Sequence, residues 1–127
     1  MSQYSALESL LATQLEFIKA PPPQREYRFA AEHVGRGYGL RQRLAEHGLH
    51  DWRFDFAWPE IMFAVEVEGV TAQTGRHQRI GGFLEDIEKY HHAMNLGWEV
   101  YRTTGFLIKS GARLALIEKK LYSPRRY

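Results

Sequence analysis

The sequence predicts an α/β fold, a four-stranded sheet with helices packed on its faces, in the order helix, three strands, helix, strand, helix. Three observations predict it. Residues 4–19 and 83–96 repeat apolar side chains at helical spacing. Residues 52–69, WRFDFAWPEIMFAVEVEG, form two β-rich runs around a Pro-Glu pair, the pattern of an antiparallel hairpin. Residues 98–103 alternate again after a glycine stop. Sheet and helices each carry one apolar face, and layering them buries both.

In the first helix Leu7, Leu10, Leu11, Leu15 and Ile18 share a face, and Ser5-Ala6-Leu7-Glu8 reads as a capping box. Pro21-Pro22-Pro23 ends it. Residues 24–34 set Tyr27, Phe29 and Ala31 against Glu26, Arg28 and Ala30, so the first strand is placed there. Gly35-Arg36-Gly37-Tyr38-Gly39 is a loop, followed by a short helix over 40–47 with Leu40 and Leu44 inward and Gly48 as its stop. Arg36, Tyr38, Arg41 and Arg43 cluster here. Positive charge beside an aromatic suits a nucleic-acid backbone with some base stacking, and a solvated linker explains the same residues.

With Pro59 and Glu60 as turn residues, the hairpin pairs Ala57 with Met62, Phe56 with Phe63, Asp55 with Ala64, Phe54 with Val65 and Arg53 with Glu66. One face then collects Trp52, Phe54, Phe56, Phe63, Val65 and Val67, and the other Arg53, Asp55, Glu66 and Glu68. Asp55 and Glu66 become diagonal neighbours, with Cβ atoms within about 8 Å. Carboxylates so placed can converge on a hard cation such as Mg²⁺. An Arg53–Glu66 ion pair on a solvated face is the plainer alternative.

Residues 70–82 are too polar for the core and read as a loop carrying Arg76, His77 and Arg79. Residues 83–96 are the strongest helix, with Phe83, Ile87, Tyr90 and Met94 as its buried stripe and Gly97 as its stop. His91 and His92 are adjacent rather than four apart, so they make no helical metal pair and are read as surface residues. Residues 98–103 form the fourth strand, in which Arg102 either points to the acidic face or pairs with an acid. The last helix spans 111–122 with Leu114, Ile117 and Leu121 inward, and 123–127 is a loose basic tail.

Length and composition place limits on this picture. A chain of 127 residues is expected to be a single domain, 1–127, with a real core. Cysteine is absent, which excludes disulfides and thiolate zinc sites. No apolar run approaches the ~20 residues of a membrane span, and the N-terminus lacks a signal-peptide pattern. The net charge of +2 and pI of about 9.0 are compatible with nucleic acid but too mild to argue for it.

Asp55, then Glu66-Val67-Glu68-Gly69, resemble the signature of the PD-(D/E)XK nuclease superfamily. The blocks WRFDFAWPE, VEVEG, GRHQR, FLEDIEKY and LGWEVYR, in that order, are more narrowly similar to small, often phage-encoded endonucleases. These are related to the very-short-patch-repair and Holliday-junction-resolvase branches. The resemblance implies a restriction-endonuclease-like core with a mixed sheet (αβββαβ plus a C-terminal helix). It also implies Mg²⁺- or Mn²⁺-dependent hydrolysis of DNA phosphodiesters, with selectivity for DNA structure as one option. The expected compartment is the cytoplasm, the host's if the gene is phage-borne. Asp55, Glu66 and the Val67 carbonyl would bind the metal, with Glu8 nearby, a place where such enzymes often carry an acid.

One departure stands out: Glu68 occupies the position of the motif lysine. Glu68 would then manage the attacking water. The missing positive charge would come from Lys89, or from Arg76 or His77, with Arg36, Tyr38, Arg41, Arg43, Arg76 and Arg79 on the DNA. The rival expectation is a DNA- or protein-binding module that keeps the fold without the chemistry. The sequence admits a homodimer without indicating one.

Overall fold

The computed structural model describes residues 4–69 and 76–123, with residues 76–80 by their backbone alone. Helix α1 (Ala6–Phe17) starts where expected: Ser5 Oγ accepts from the Glu8 amide, and Leu11 and Leu15 are buried. Strand β1 (Gln24–Tyr27) follows the prolines. The structure then departs from the extended reading of 24–34, because helix α2 (Phe29–Val34) begins two residues after the strand ends. Phe29, Ala30 and Ala31 are all buried, and three consecutive buried residues suit a helix wedged into the core better than a strand with one wet face. Helix α3 (Leu40–Glu46) packs on it and ends before Gly48, whose φ of 68° needs glycine.

Strands β2 (Phe54–Trp58) and β3 (Phe63–Val67) form the antiparallel hairpin. The turn is longer than the Pro-Glu pair. A 3₁₀ turn spans Pro59–Ile61, and Met62 closes it in the left-handed region at φ 52°. The register is therefore Phe56 with Val65, Ala57 with Ala64 and Trp58 with Phe63. This differs by two residues from the predicted pairing. An even shift preserves the faces, so Phe56, Phe63 and Val65 still point together. Continued outward, it brings Asp55 directly opposite Glu66.

Helix α4 (Arg76–Asn95) carries the chain to β4 (Glu99–Thr103), which lies parallel to β3. The sheet order is β1-β2-β3-β4, mixed, as expected. Two short C-terminal helices follow, α5 (Gly105–Lys109), absent from the sequence reading, and α6 (Ala112–Tyr122). On one face α1, α5 and α6 cover Phe56, Trp58, Phe63 and Val65 with Leu11, Leu15, Ile108 and Ile117. On the other, α2, α3 and α4 enclose Phe29, Leu44, Trp52, Phe54, Ala64, Ala93 and Trp98. Trp52 and Phe54 thus lie opposite Phe56, against the predicted alternation.

α4 carries two further corrections. It starts at Arg76, so residues 76–82 are helical rather than loop, and Val70–Gly75 lie outside the described residues. Gly81 and Gly82 lower helix propensity by about 1 kcal/mol each, which hid this part of the helix from a sequence reading. The helix is also rotated from its apolar stripe. Phe83, Ile87 and Met94 are exposed, while Ala93 is buried and Lys89 and Tyr90 are half-buried against the sheet. The stripe loses because a buried carboxylate, described below, takes that lysine and tyrosine. The basic tail from Pro124 onward is outside the described residues. No described helix is long and apolar enough to cross a membrane.

Phe29 is 1% exposed and stacks on Phe54 at 4.1 Å between ring centroids. Phe29→Ala should cost about 3–5 kcal/mol in a urea titration. A loss under 1 kcal/mol would return this segment to an exposed strand.

Candidate active site

β2 and β3 part at their open end, and side chains replace the ladder there. The Asp55 amide donates to Glu66 Oε2 (2.9 Å), and the Val67 amide donates to Asp55 Oδ2 (2.7 Å). This local exchange of partners coincides with the break in alternation that sends Phe54 to the other side of the sheet from Phe56. Asp55 and Glu66 are thus direct rather than diagonal neighbours, joined through these backbone amides, and Glu66 is not one of the three acids that crowd together below. Arg53 does not pair with Glu66 and is exposed.

Glu66 is only 5% exposed. Its Oε1 accepts from Lys89 Nζ and from Tyr90 Oη at 3.2 Å. Lys89 is nearly as buried and also lies over the Phe54 ring. Burial and the Glu66 carboxylate raise the Tyr90 phenol well above its ordinary value, so it stays a proton donor. The lysine proposed to stand in for the motif residue thus meets the β3 acid directly.

Glu68 lies apart from this pair. Its amide extends the pairing to Thr103 O (2.7 Å), and its Oε1 accepts from Arg102 Nε (2.5 Å). Arg102 also approaches Asp86 at 3.9 Å and lies over the Tyr90 ring. Of the two options for Arg102, pairing with an acid is the one realised.

Asp55 has a second set of neighbours. Carboxylate oxygens of Glu8, Glu26 and Asp55 lie within 4.8 Å of one another, one acid each from α1, β1 and β2. Burial first, and then repulsion from Glu66, push the Asp55 carboxyl up to about 8, with Glu8 adding to the effect. Arg25 offsets part of this: its Nη2 reaches Glu8 Oε1 at 3.4 Å, and its Nε donates to Asp55 O. Glu26 adopts φ 52°, a conformation that costs a non-glycine residue about 1–3 kcal/mol. Sequence reasoning placed Glu26 only on the polar side of its strand and assigned it no role. An acid beside the acid-bearing hairpin was the available signal. Three hard oxygen donors with mutual repulsion are a donor set suited to Mg²⁺ or Mn²⁺.

The other expected residues divide. Arg36 pairs with Glu32 (3.1 Å). Arg43 donates to three carbonyls, Val34, Gly35 and Tyr38, and so clasps the glycine loop rather than reaching outward. Tyr38 is fully exposed, and Arg41 makes no ion pair among the described residues. Arg76, His77 and Arg79 occupy the first turns of α4, and their side chains lie outside the described residues. His92, expected at the surface, stacks on Trp52 (5.5 Å) in line with His50, while Glu85 accepts from His50 and from the Trp52 indole.

No protein-family model, curated protein or solved structure matches the chain.

Lys89→Met leaves Glu66 buried without its cation and should cost about 3 kcal/mol in denaturant titration. Lys89→Met with Glu66→Leu should recover most of that loss. Asp55 gives a pH signature in the absence of divalent cations. As pH rises from about 4 to about 8, the unfolded chain releases the Asp55 proton while the folded chain keeps it. Stability falls through that window and then levels off. Asp55→Asn should therefore match the wild type near pH 4 and melt several degrees higher at pH 8, read by circular dichroism.

Proposed function

We propose that the chain is a metal-dependent endonuclease of the PD-(D/E)XK type that hydrolyses DNA phosphodiester bonds. The observation that carries this reading is the convergence of Glu8, Glu26 and Asp55 within 4.8 Å, beside a glutamate held by a lysine. The αβββαβ order of the main elements, with α2 and α3 inserted after β1, and the mixed sheet are compatible with that superfamily's core.

Glu8, Glu26 and Asp55 would hold a divalent cation, with Glu66 at its edge. When bound, such an ion polarises a phosphoryl oxygen and makes bound water more acidic. The chain's own residues do the rest. Lys89 is fixed by Glu66 and Tyr90, on a helix rather than a loop. In this reading its ammonium would offset negative charge that builds on the phosphate, from a position already fixed. Glu68 is held by Arg102 through one oxygen, and among the described residues its other oxygen carries no hydrogen bond. That oxygen is available to orient the attacking water and take its proton. Arg25 keeps the Glu8 carboxylate directed at the cluster.

A non-catalytic binding module is the second reading. Its support is that Glu66 and Glu68 are already neutralised within the fold by Lys89 and Arg102.

Two measurements separate the readings. Mg²⁺ or Mn²⁺ at about 100 times its Kd should stabilise the wild type by about 2.7 kcal/mol. Glu8→Gln, Glu26→Gln and Asp55→Asn should each lose that gain. Wild-type protein with Mg²⁺ or Mn²⁺ should cleave at least one of duplex, flap, four-way junction, mismatch or single-stranded DNA. Asp55→Asn and Glu66→Gln should cleave none. A chain that neither gains stability from the cation nor cuts any of these overturns the nuclease reading and leaves the binding module.

A further inference from the structure

A second feature lies outside the acidic cluster. An open groove of about 880 Å³ runs beside α3, within the size range of ligand sites. Its floor is apolar, from Leu40, Leu44 and Leu49, and Arg28 and Arg41 lie along it. Charge there is unbalanced. Arg28, Arg36 and Arg53 all lie close enough to Asp51 to hold its carboxyl below the usual range. Of the lining residues, Arg28 and Arg41 face one acid, Asp51; Arg28 pairs with it at 2.6 Å, which leaves Arg41 without an ion pair among the described residues. Glu46, the acid of α3, bonds Gln42 and does not line the groove.

The loop at the groove's edge presents Tyr38 with its ring fully exposed. That ring is not on a loose loop. Arg43 ties Val34, Gly35 and Tyr38 together through their carbonyls, at 3.2, 2.5 and 2.6 Å. Gly39, at φ 81°, lets the chain pass Arg43, whose Nη1 would lie 3.0 Å from any Cβ there. His50 also lines the groove and bonds Glu85, one turn of α4 before Lys89. That bond ties the groove's lining to the helix that carries Lys89.

We propose that this face binds single-stranded DNA emerging from a duplex. Tyr38 stacks on an unpaired base, the leucine floor takes the next base face, and Arg41 meets the phosphate between them. Single strands are singled out because an exposed aromatic ring and an apolar floor need open base faces, which a duplex hides. The arginine excess complements the backbone. The proposal rests on the nuclease reading, since it names the DNA form delivered to that site.

The test is fluorescence-anisotropy binding, without divalent cations, of a blunt duplex and the same duplex with a short single-stranded thymine tail. Wild-type protein should bind the tailed duplex about tenfold more tightly. Tyr38→Ala should abolish that preference and Tyr38→Trp should retain it. Arg41→Ala should lower the log–log salt slope for the tailed duplex by about one unit. Equal binding of both DNAs by the wild type, binding of neither, or a tail preference that survives Tyr38→Ala with Arg41→Ala would each overturn the proposal. Wild-type cleavage with Mg²⁺, measured in parallel, reports on the nuclease reading separately. Cleavage without a tail preference removes only the groove. A Tyr38-dependent tail preference without cleavage of any DNA removes only the nuclease.

Discussion

The pairing of Glu66 with Lys89 is the constraint from which much of this structure follows. A carboxylate with almost no solvent exposure needs a cation and hydrogen bonds, or it is strongly destabilising. Lys89 and Tyr90 supply them from α4, and the Asp55 amide supplies a third partner. Meeting that need sets the rotation of α4 about its axis. The helix turns Lys89, Tyr90 and Ala93 to the sheet and leaves Phe83, Ile87 and Met94 in solvent. Exposing three large apolar side chains costs several kcal/mol of hydrophobic burial, at about 1.5–3 kcal/mol for each fully buried side chain. Leaving that buried charge without its partner costs about 3–5 kcal/mol, a loss of the same order.

The same pair explains the electrostatic asymmetry of the site. Glu66 is neutralised by Lys89, and Glu68 by Arg102, so the acids of β3 are internally satisfied. Glu8, Glu26 and Asp55 have only Arg25 among the described cations in contact, and it reaches Glu8 alone through its carboxylate. Burial first, and then repulsion from Glu66, push the Asp55 carboxyl up to about 8, with Glu8 adding to the effect. Backbone strain at Glu26 falls at the same point. Strain and clustered like charge together mark a place where the fold gives up stability.

α2 and α3, inserted between β1 and β2, give the molecule a second chemical face. The arginines around Asp51 and the tied-down Tyr38 loop belong to this insertion and to its return into β2. The bond from His50 to Glu85 joins that face to α4. One helix therefore touches both regions, through Glu85 toward the groove and through Lys89 toward the acids.

Local patterns legible in the sequence are those whose cause is local. The Ser5 cap, the glycine stops at Gly48 and Gly97, the hairpin with its acids on adjacent strands, and the αβββαβ order are set by side-chain period, caps and turn residues. That Asp55 and Glu66 are neighbours was readable because they sit at the same end of adjacent hairpin strands in either register. Tertiary structure decided what depends on partners distant in the chain. Whether Phe29 continued a strand or began a helix depended on the space beside Phe54. Which face of α4 was buried depended on a charge at Glu66, ten residues before the helix begins. Glu26 joined Glu8 and Asp55 because β1 and α1 meet β2 in space, at a backbone angle that no propensity favours. Periodicity records how each segment prefers to bury apolar surface. It does not record the cost of a buried charge, and here that cost decided between otherwise similar packings.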